Sequence, residues 1–153
     1  MSTVKAVPEG HHTVTPVLVV RGAAEAISFY QKAFGAEEIM RAPGPNGTIM
    51  HAMIRIGNSV VYLSDEFPQM GSKATSSRLW LYVDNVDAAW QRAVAAGAPV
   101  TMPLTDMFWG DRFGQVADAW GNVWGLAQHV RDVSPAEMEK AQKEMLTHWG
   151  KQK

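Results

Sequence analysis

The sequence predicts an α+β fold: two tandem βαβββ modules forming a curved mixed sheet around a cleft, plus a C-terminal helix. Three observations predict it. Residues 15–35, TPVLVVRGAAEAISFYQKAFG, give an apolar strand, a polar corner and a helix closed by Gly35. Residues 78–97, RLWLYVDNVDAAWQRAVAAG, repeat that order and close at Gly97. Each half then carries a Gly-Asn corner before an apolar strand, Gly57-Asn58 ahead of Val60–Leu63 and Gly121-Asn122 ahead of Val123–Leu126. An internal repeat restricts the architecture more than any single residue does. A chain of 153 residues suits one domain, 1–153, with module one at about 12–66, a linker at about 67–76, module two at about 77–130 and the helix at about 135–149.

Taken in order, residues 1–11 read as a leader with a turn at Pro8-Glu9-Gly10. Strand one covers roughly Thr13–Val20. Helix one runs from about Ala23 to Phe34, with Ile27, Tyr30 and Phe34 on one face and Gly35 as a left-handed cap. Pro43-Gly44-Pro45-Asn46-Gly47 is a turn between the second and third strands. The third strand alternates, with Met50, Ala52, Ile54 and Ile56 apolar and His51, Met53 and Arg55 on the other side. In the second half Asn85 caps a helix whose buried face is Val86, Trp90 and Val94. Ser134-Pro135-Ala136-Glu137 is a capping box with proline at the first helical position, and Met138, Ala141, Met145 and Trp149 form a stripe on the helix that follows. That stripe suits packing on the chain's own body or on a sister subunit.

Composition excludes several function classes. Cysteine is absent, which removes disulfides and thiolate chemistry and fits a reducing compartment. The formal net charge of -1 comes from 14 basic and 15 acidic residues that are well mixed, so no nucleic acid and no membrane partner is expected. The start lacks the apolar core of a signal peptide, and no apolar run is long enough for a bilayer, so a cytoplasmic protein is expected.

Strand parity nominates the site. In Arg78-Leu79-Trp80-Leu81-Tyr82-Val83, the leucines and Val83 suit a helix-covered face, leaving Arg78, Trp80 and Tyr82 on the other. An arginine among aromatic rings makes a wall that stacks on a planar ligand and pairs with an anionic group. The same parity places His51, Met53 and Arg55 on the inner side of module one, with Val60 and Tyr62 beside them. The segment Met107-Phe108-Trp109-Gly110-Asp111-Arg112 opens the strand carrying Gln115 and would bring Trp109 and Arg112 to the mouth of the cleft; Arg112 has a structural alternative in pairing with Asp111 or Asp118. No nucleophile elbow is present; His51 beside Tyr62 is the acid–base candidate, with a hydrogen-bonded wall histidine as the structural alternative.

With repeat and strand order in place, the chain resembles the vicinal oxygen chelate superfamily of glyoxalases, bleomycin-resistance proteins and extradiol dioxygenases, over about residues 12–130. Its segments VTPVLVVRGAAEAISFYQKAFGA, MHAMIRIGNSVVYLSDE and TDMFWGDRFGQVADAWGNVWGLAQHV look like the PhnB-like, glyoxalase-related branch. The resemblance implies metal ligands on the first and last strand of each module, and here those positions are Thr15, Tyr62, Arg78 and Gly125. None is an imidazole or carboxylate, so no cofactor and no metal at these positions is expected. A divalent metal would need a displaced site, such as His12 and His51 with Glu66. The resemblance also implies a homodimer, and the C-terminal helix is the candidate for bracing it. The expected function is metal-independent binding of an aromatic or amphipathic small molecule between Trp80, Tyr82, Trp109 and Tyr62, with Thr15, Met53 and Gln115 on the wall and Arg78, His51 or Arg112 meeting polar groups. The alternative is a metal-dependent lyase, isomerase or dioxygenase with a displaced metal site, or His51 acid–base chemistry.

Overall fold

The computed structural model describes residues 3–151, and the first two residues of the expected leader lie outside it. Module one runs β1 (Val17–Val20), α1 (Ala23–Phe34), β2 (Glu37–Pro43), β3 (Ile49–Ile56) and β4 (Ser59–Asp65). Module two repeats the order with β5 (Arg78–Tyr82), α2 (Val86–Ala95), β6 (Val100–Asp106), β7 (Asp111–Ala117) and β8 (Val123–His129), and α3 (Pro135–Gly150) follows. Each module is a four-stranded mixed sheet, ordered β1-β4-β3-β2 and β5-β8-β7-β6, with the first strand parallel to the last. Strand one is shorter than expected because the chain before Val17 has no ladder partner beyond the bond from Tyr62 N–H to the Pro16 carbonyl.

Apolar alternation turns Leu18, Val20, Ala52, Ile54, Val61 and Leu63 towards α1, which answers with Ala26, Ile27 and Tyr30, all essentially without solvent contact. Asp65 ties this layer together: one carboxylate oxygen accepts from Gly22 and Ala23 N–H at the start of α1, the other from Ile49 N–H. The first helical turn has no internal partners for its N–H groups, so a buried carboxylate there satisfies them and complements the helix dipole. A β-bulge between Ala42 and Pro43 shifts the register at the start of β3. It buries Ile49 and leaves Met50 exposed, against the expectation that Met50 joins the core face.

The modules join through helices, and among the described residues no ladder links their sheets. Phe34 and Tyr30 of α1 pack on Trp124 of β8, at ring-centroid separations of 4.6 and 4.9 Å. The Tyr30 phenol donates to Asp118 at 2.6 Å, and Trp124 Nε1 and the Asn122 side chain donate to the same carboxylate oxygen. Arg92 of α2 donates to the Lys32 and Gln31 carbonyls, the last acceptors of α1. Gly35, at φ 68°, gives the guanidinium room: a Cβ there would lie 2.7 Å from Arg92 Nη1. One apolar cluster therefore spans both halves.

Asn85 caps α2 as expected, accepting from Ala88 N–H, and Ser134 accepts from Glu137 N–H at the start of α3. On α2 the inward positions are Val86, Trp90 and Ala93; Val94 is exposed, because its place falls one residue beyond the stripe that meets β7 and β8. α3 buries none of its residues, and its stripe of Met138, Ala141 and Met145 is half-exposed. No helix among the described residues is long and apolar enough to cross a membrane.

Candidate functional site

Three adjacent strands of module two build an aromatic wall on the side away from the helices. The ladder sets Trp80 of β5 opposite Gly125 of β8, and Gly125 opposite Gln115 of β7. One step along, Tyr82, Ala127 and Phe113 share a row. Gly125 is the consequential position. It lacks a side chain, so the Phe113 ring leans over it; a Cβ there would lie 2.7 Å from Phe113 Cε2. The displaced ring stacks on Trp80, with centroids 4.0 Å apart and planes 11° from parallel. Trp109 closes the group at 6.3 Å from Trp80 and 6.1 Å from Phe113. Phe113 is buried, whereas Trp80 is 46% exposed and Tyr82 64%, so the wall offers open ring faces on a fixed base.

A single carboxylate orients two of those rings. Asp111, 2% exposed, accepts from the Tyr82 phenol at 2.8 Å and from Trp109 Nε1 at 3.0 Å on one oxygen. Its other oxygen meets His129 Nδ1 at 2.8 Å, and His129 Nε2 meets Asp132 at 2.7 Å. Burial pushes the Asp111 carboxyl up, but bonds from His129, Tyr82 and Trp109 outweigh it and hold the pKa below its ordinary value. The bonds to Asp132 and Asp111 raise that of His129, and the bond to Asp111 raises that of Tyr82.

Module one presents a second, separate patch. His51 meets the edge of Tyr62 with centroids 4.8 Å apart, and the Tyr62 phenol lies 2.8 Å from His11 Nε2. His11 comes from the leader; its Nδ1 faces the Glu9 carbonyl at 3.2 Å, which selects the tautomer with Nε2 as acceptor. Met53 pairs with Tyr62 in the ladder, and Arg55 pairs with Glu37. Among the described residues the ring contacts of Tyr62 are with His11 and His51, whereas Trp80 meets Tyr82, Trp109 and Phe113.

Of the other expected site residues, Gln115 lies on the aromatic face beside Gly125, and Arg78 is exposed with no hydrogen-bond or ion-pair partner among the described residues. Thr15 is half-buried ahead of β1. Arg112 is a correction. It points to the helix side of β7, where it pairs with Asp87 at 3.1 Å and Asp106 at 3.2 Å, because strand β7 already begins at Asp111 and alternation sends Arg112 away from the rings. The alternative partners Asp111 and Asp118 are not used. Sequence reasoning missed Asp111, Phe113, His129 and His11. Alternation was the available signal for two of them: Gln115 shares its face with Phe113 and Asp111.

The four positions implied as metal ligands do not fit a cation. Thr15 offers a hydroxyl, the Tyr62 phenol is engaged with His11, Arg78 brings positive charge, and Gly125 is roofed by the Phe113 ring. The displaced set fares no better: His12 is exposed, and Glu66 accepts from Arg21 and from Ala74 N–H. Among the described residues no three His, Cys, Asp or Glu side chains gather to hold a metal.

Between the edge strands β1 and β5 runs a groove of about 1270 Å³, lined by Phe34, Leu79, Leu81 and Leu126 and by Arg78, Trp80 and Tyr82.

Two facing-edge modules with this strand order, beside a wall of rings, define a fold class, and the family profile agrees. The Glyoxalase/Bleomycin resistance protein/Dioxygenase superfamily profile matches residues 11–126, and the chain belongs to that superfamily. An uncharacterized protein of Mycobacterium tuberculosis (strain H37Rv), Rv0887c, is 47% identical over 137 residues, covering 84% of this chain and 81% of that protein. TioX from Micromonospora sp. ML1 superposes with a TM-score of 0.65 at 30% identity, over 76% of this chain and 99% of TioX. TnmS3, an antibiotic binding protein from Streptomyces sp. CB03234, gives 0.61 at 25% identity, over 84% and 99%. A PhnB protein from Bacillus cereus shares the fold, with a TM-score of 0.55 at 21% identity over 76% and 99%.

Proposed function

We propose that this protein binds an aromatic or amphipathic small molecule without a metal, on the face made by Trp80, Tyr82, Trp109 and Phe113. The observation that carries the reading is the Trp80–Phe113 stack over Gly125: where a metal ligand would stand, the chain has a glycine and a ring fills the space. Exposed ring faces beside the unpaired guanidinium of Arg78 suit a planar ligand carrying an anionic group. The fold-level similarity to an antibiotic binding protein supports the same class of activity. The test uses 1-anilinonaphthalene-8-sulfonate, a planar sulfonate, read by its own emission and by tryptophan quenching. Binding should survive a chelator, and Trp80→Ala should weaken it about 30-fold, as at a central aromatic anchor. Loss of binding with chelator, or full binding by Trp80→Ala, would overturn the proposal.

The proposal includes a homodimer. The chain exposes 9857 Å², against about 7,600 Å² for a compact monomer of 16.8 kDa by size scaling. The excess is larger than the ~800 Å² that each partner contributes to a standard interface. The outer edges of β1 and β5, a groove larger than the ~300–1,000 Å³ of ordinary ligand pockets, and an α3 with no buried residue are the surfaces a second copy would cover.

A second reading rests on module one. His11, with Nε2 free to accept the Tyr62 proton and His51 against the ring edge, is arranged for acid–base chemistry. An enzyme of this kind would lose turnover in Tyr62→Phe while keeping the fluorescent probe bound to module two.

A further inference from the structure

We infer that His129 is a positioning residue for the aromatic face, and that a bound ligand is held less tightly once its imidazole loses a proton. This rests on the reading of that face as a ligand site. His129 Nδ1 and Nε2 lie 2.8 and 2.7 Å from carboxylate oxygens of Asp111 and Asp132. An ionised carboxylate only accepts, so each contact needs a hydrogen on the ring nitrogen, and only the imidazolium carries both. The second oxygen of Asp111 receives Tyr82 and Trp109. One proton on β8 is thereby linked, through one buried carboxylate, to two of the rings around Trp80.

The surrounding charges leave this role to His129. From the segment after β8, Arg131 donates to the Phe108 carbonyl and pairs with Glu137 of α3. On the far face of β7, Arg112 is engaged by Asp87 and Asp106. From β5, Tyr82 supplies a neutral phenol, and Asp132 is fully exposed. The cation bonded to Asp111 is the imidazolium.

The sign of the pH effect follows. Asp132 first, then Asp111, raise the His129 pKa above its ordinary 6.5. The interaction is complete below that value and is lost as pH rises through the raised one. Deprotonation sets a ring lone pair against a carboxylate, so the imidazole turns from one partner and Asp111 loses its neighbouring charge.

The experiment measures the affinity of 1-anilinonaphthalene-8-sulfonate, whose sulfonate stays ionised throughout, from mildly acidic to mildly alkaline buffer. Affinity of the unaltered protein should fall about 3- to 10-fold as pH rises, the range of one net hydrogen bond. His129→Gln should be flat across the range. Asp132→Asn should move the midpoint down towards the ordinary histidine value, a shift that a passive scaffold would not produce. A flat profile in the unaltered protein, or an unchanged one in His129→Gln, overturns the inference. If the probe ignores Trp80 altogether, the ligand reading fails separately. Near-ultraviolet circular dichroism of the rings then decides: a His129-dependent titration upholds the positioning role, and its absence refutes it.

Discussion

Replacing Gly125 with alanine tests the geometry of the aromatic wall with one carbon atom. The new Cβ would lie 2.7 Å from Phe113 Cε2, 3.3 Å from Cζ and 3.6 Å from the Leu79 carbonyl oxygen. Carbon atoms sit comfortably at about 3.5–4.0 Å, so the ring must retreat by roughly 1 Å. Phe113 is 3% exposed and stacked on Trp80, which limits where it can go. Overpacking of this kind costs about 1–3 kcal/mol, and spoiling the ring pair about 0.5–1.5 kcal/mol more. Alanine also restricts the unfolded chain, which returns about 0.4–1 kcal/mol. The net expectation is a loss of about 0.5–4 kcal/mol. Urea denaturation with an unchanged slope measures it. Adding Phe113→Leu removes the obstructing ring, so the cost of the alanine should shrink within the double-mutant cycle. An alanine variant at least as stable as its parent, or a full cost that persists without the ring, would refute the packing argument.

Three further outcomes follow from the same contacts. Asp118→Ala strips the acceptor from Tyr30, Trp124 and Asn122 at the joint between modules, and should cost more than about 3 kcal/mol in the same urea assay. In alkaline titration followed by phenolate absorbance, Tyr30 should stay protonated until the protein unfolds, because burial and then Asp118 push its pKa far up. Removing residues 134–153 should change unfolding of the remaining body by no more than about 0.5 kcal/mol, since α3 fully buries none of its residues, and on the proposed homodimer it should weaken self-association measured by light scattering.

Much of the fold was legible because it depends on local chemistry. The Ala23–Phe34 helix, the Asn85 and Ser134 caps and the outward set Arg78, Trp80 and Tyr82 follow from period and capping, which neighbouring residues decide. The site was less legible because it depends on register between strands. Nothing in the order of residues brings Phe113 over Gly125 or His129 to Asp111; the β7–β8 ladder does. Arg112 went astray through a boundary, since taking residues 107–112 together as the segment ahead of the strand hides the alternation that begins at Asp111. The bulge at Ala42–Pro43 misplaced Met50 in the same way. His11 was set aside as leader because its partner, Tyr62, is 51 residues away.

The joint at Tyr30 carries a consequence for how the duplicated halves depend on each other. Phe34 and Tyr30 complete the packing around Trp124, and Asp118 draws donors from both sides of the boundary. Cut at the linker and produced as separate polypeptides, each half would expose the ground the other covers. Mixed together, the fragments should reassemble into the parent, since the surfaces that recognise one another are the ones a single continuous chain already joins.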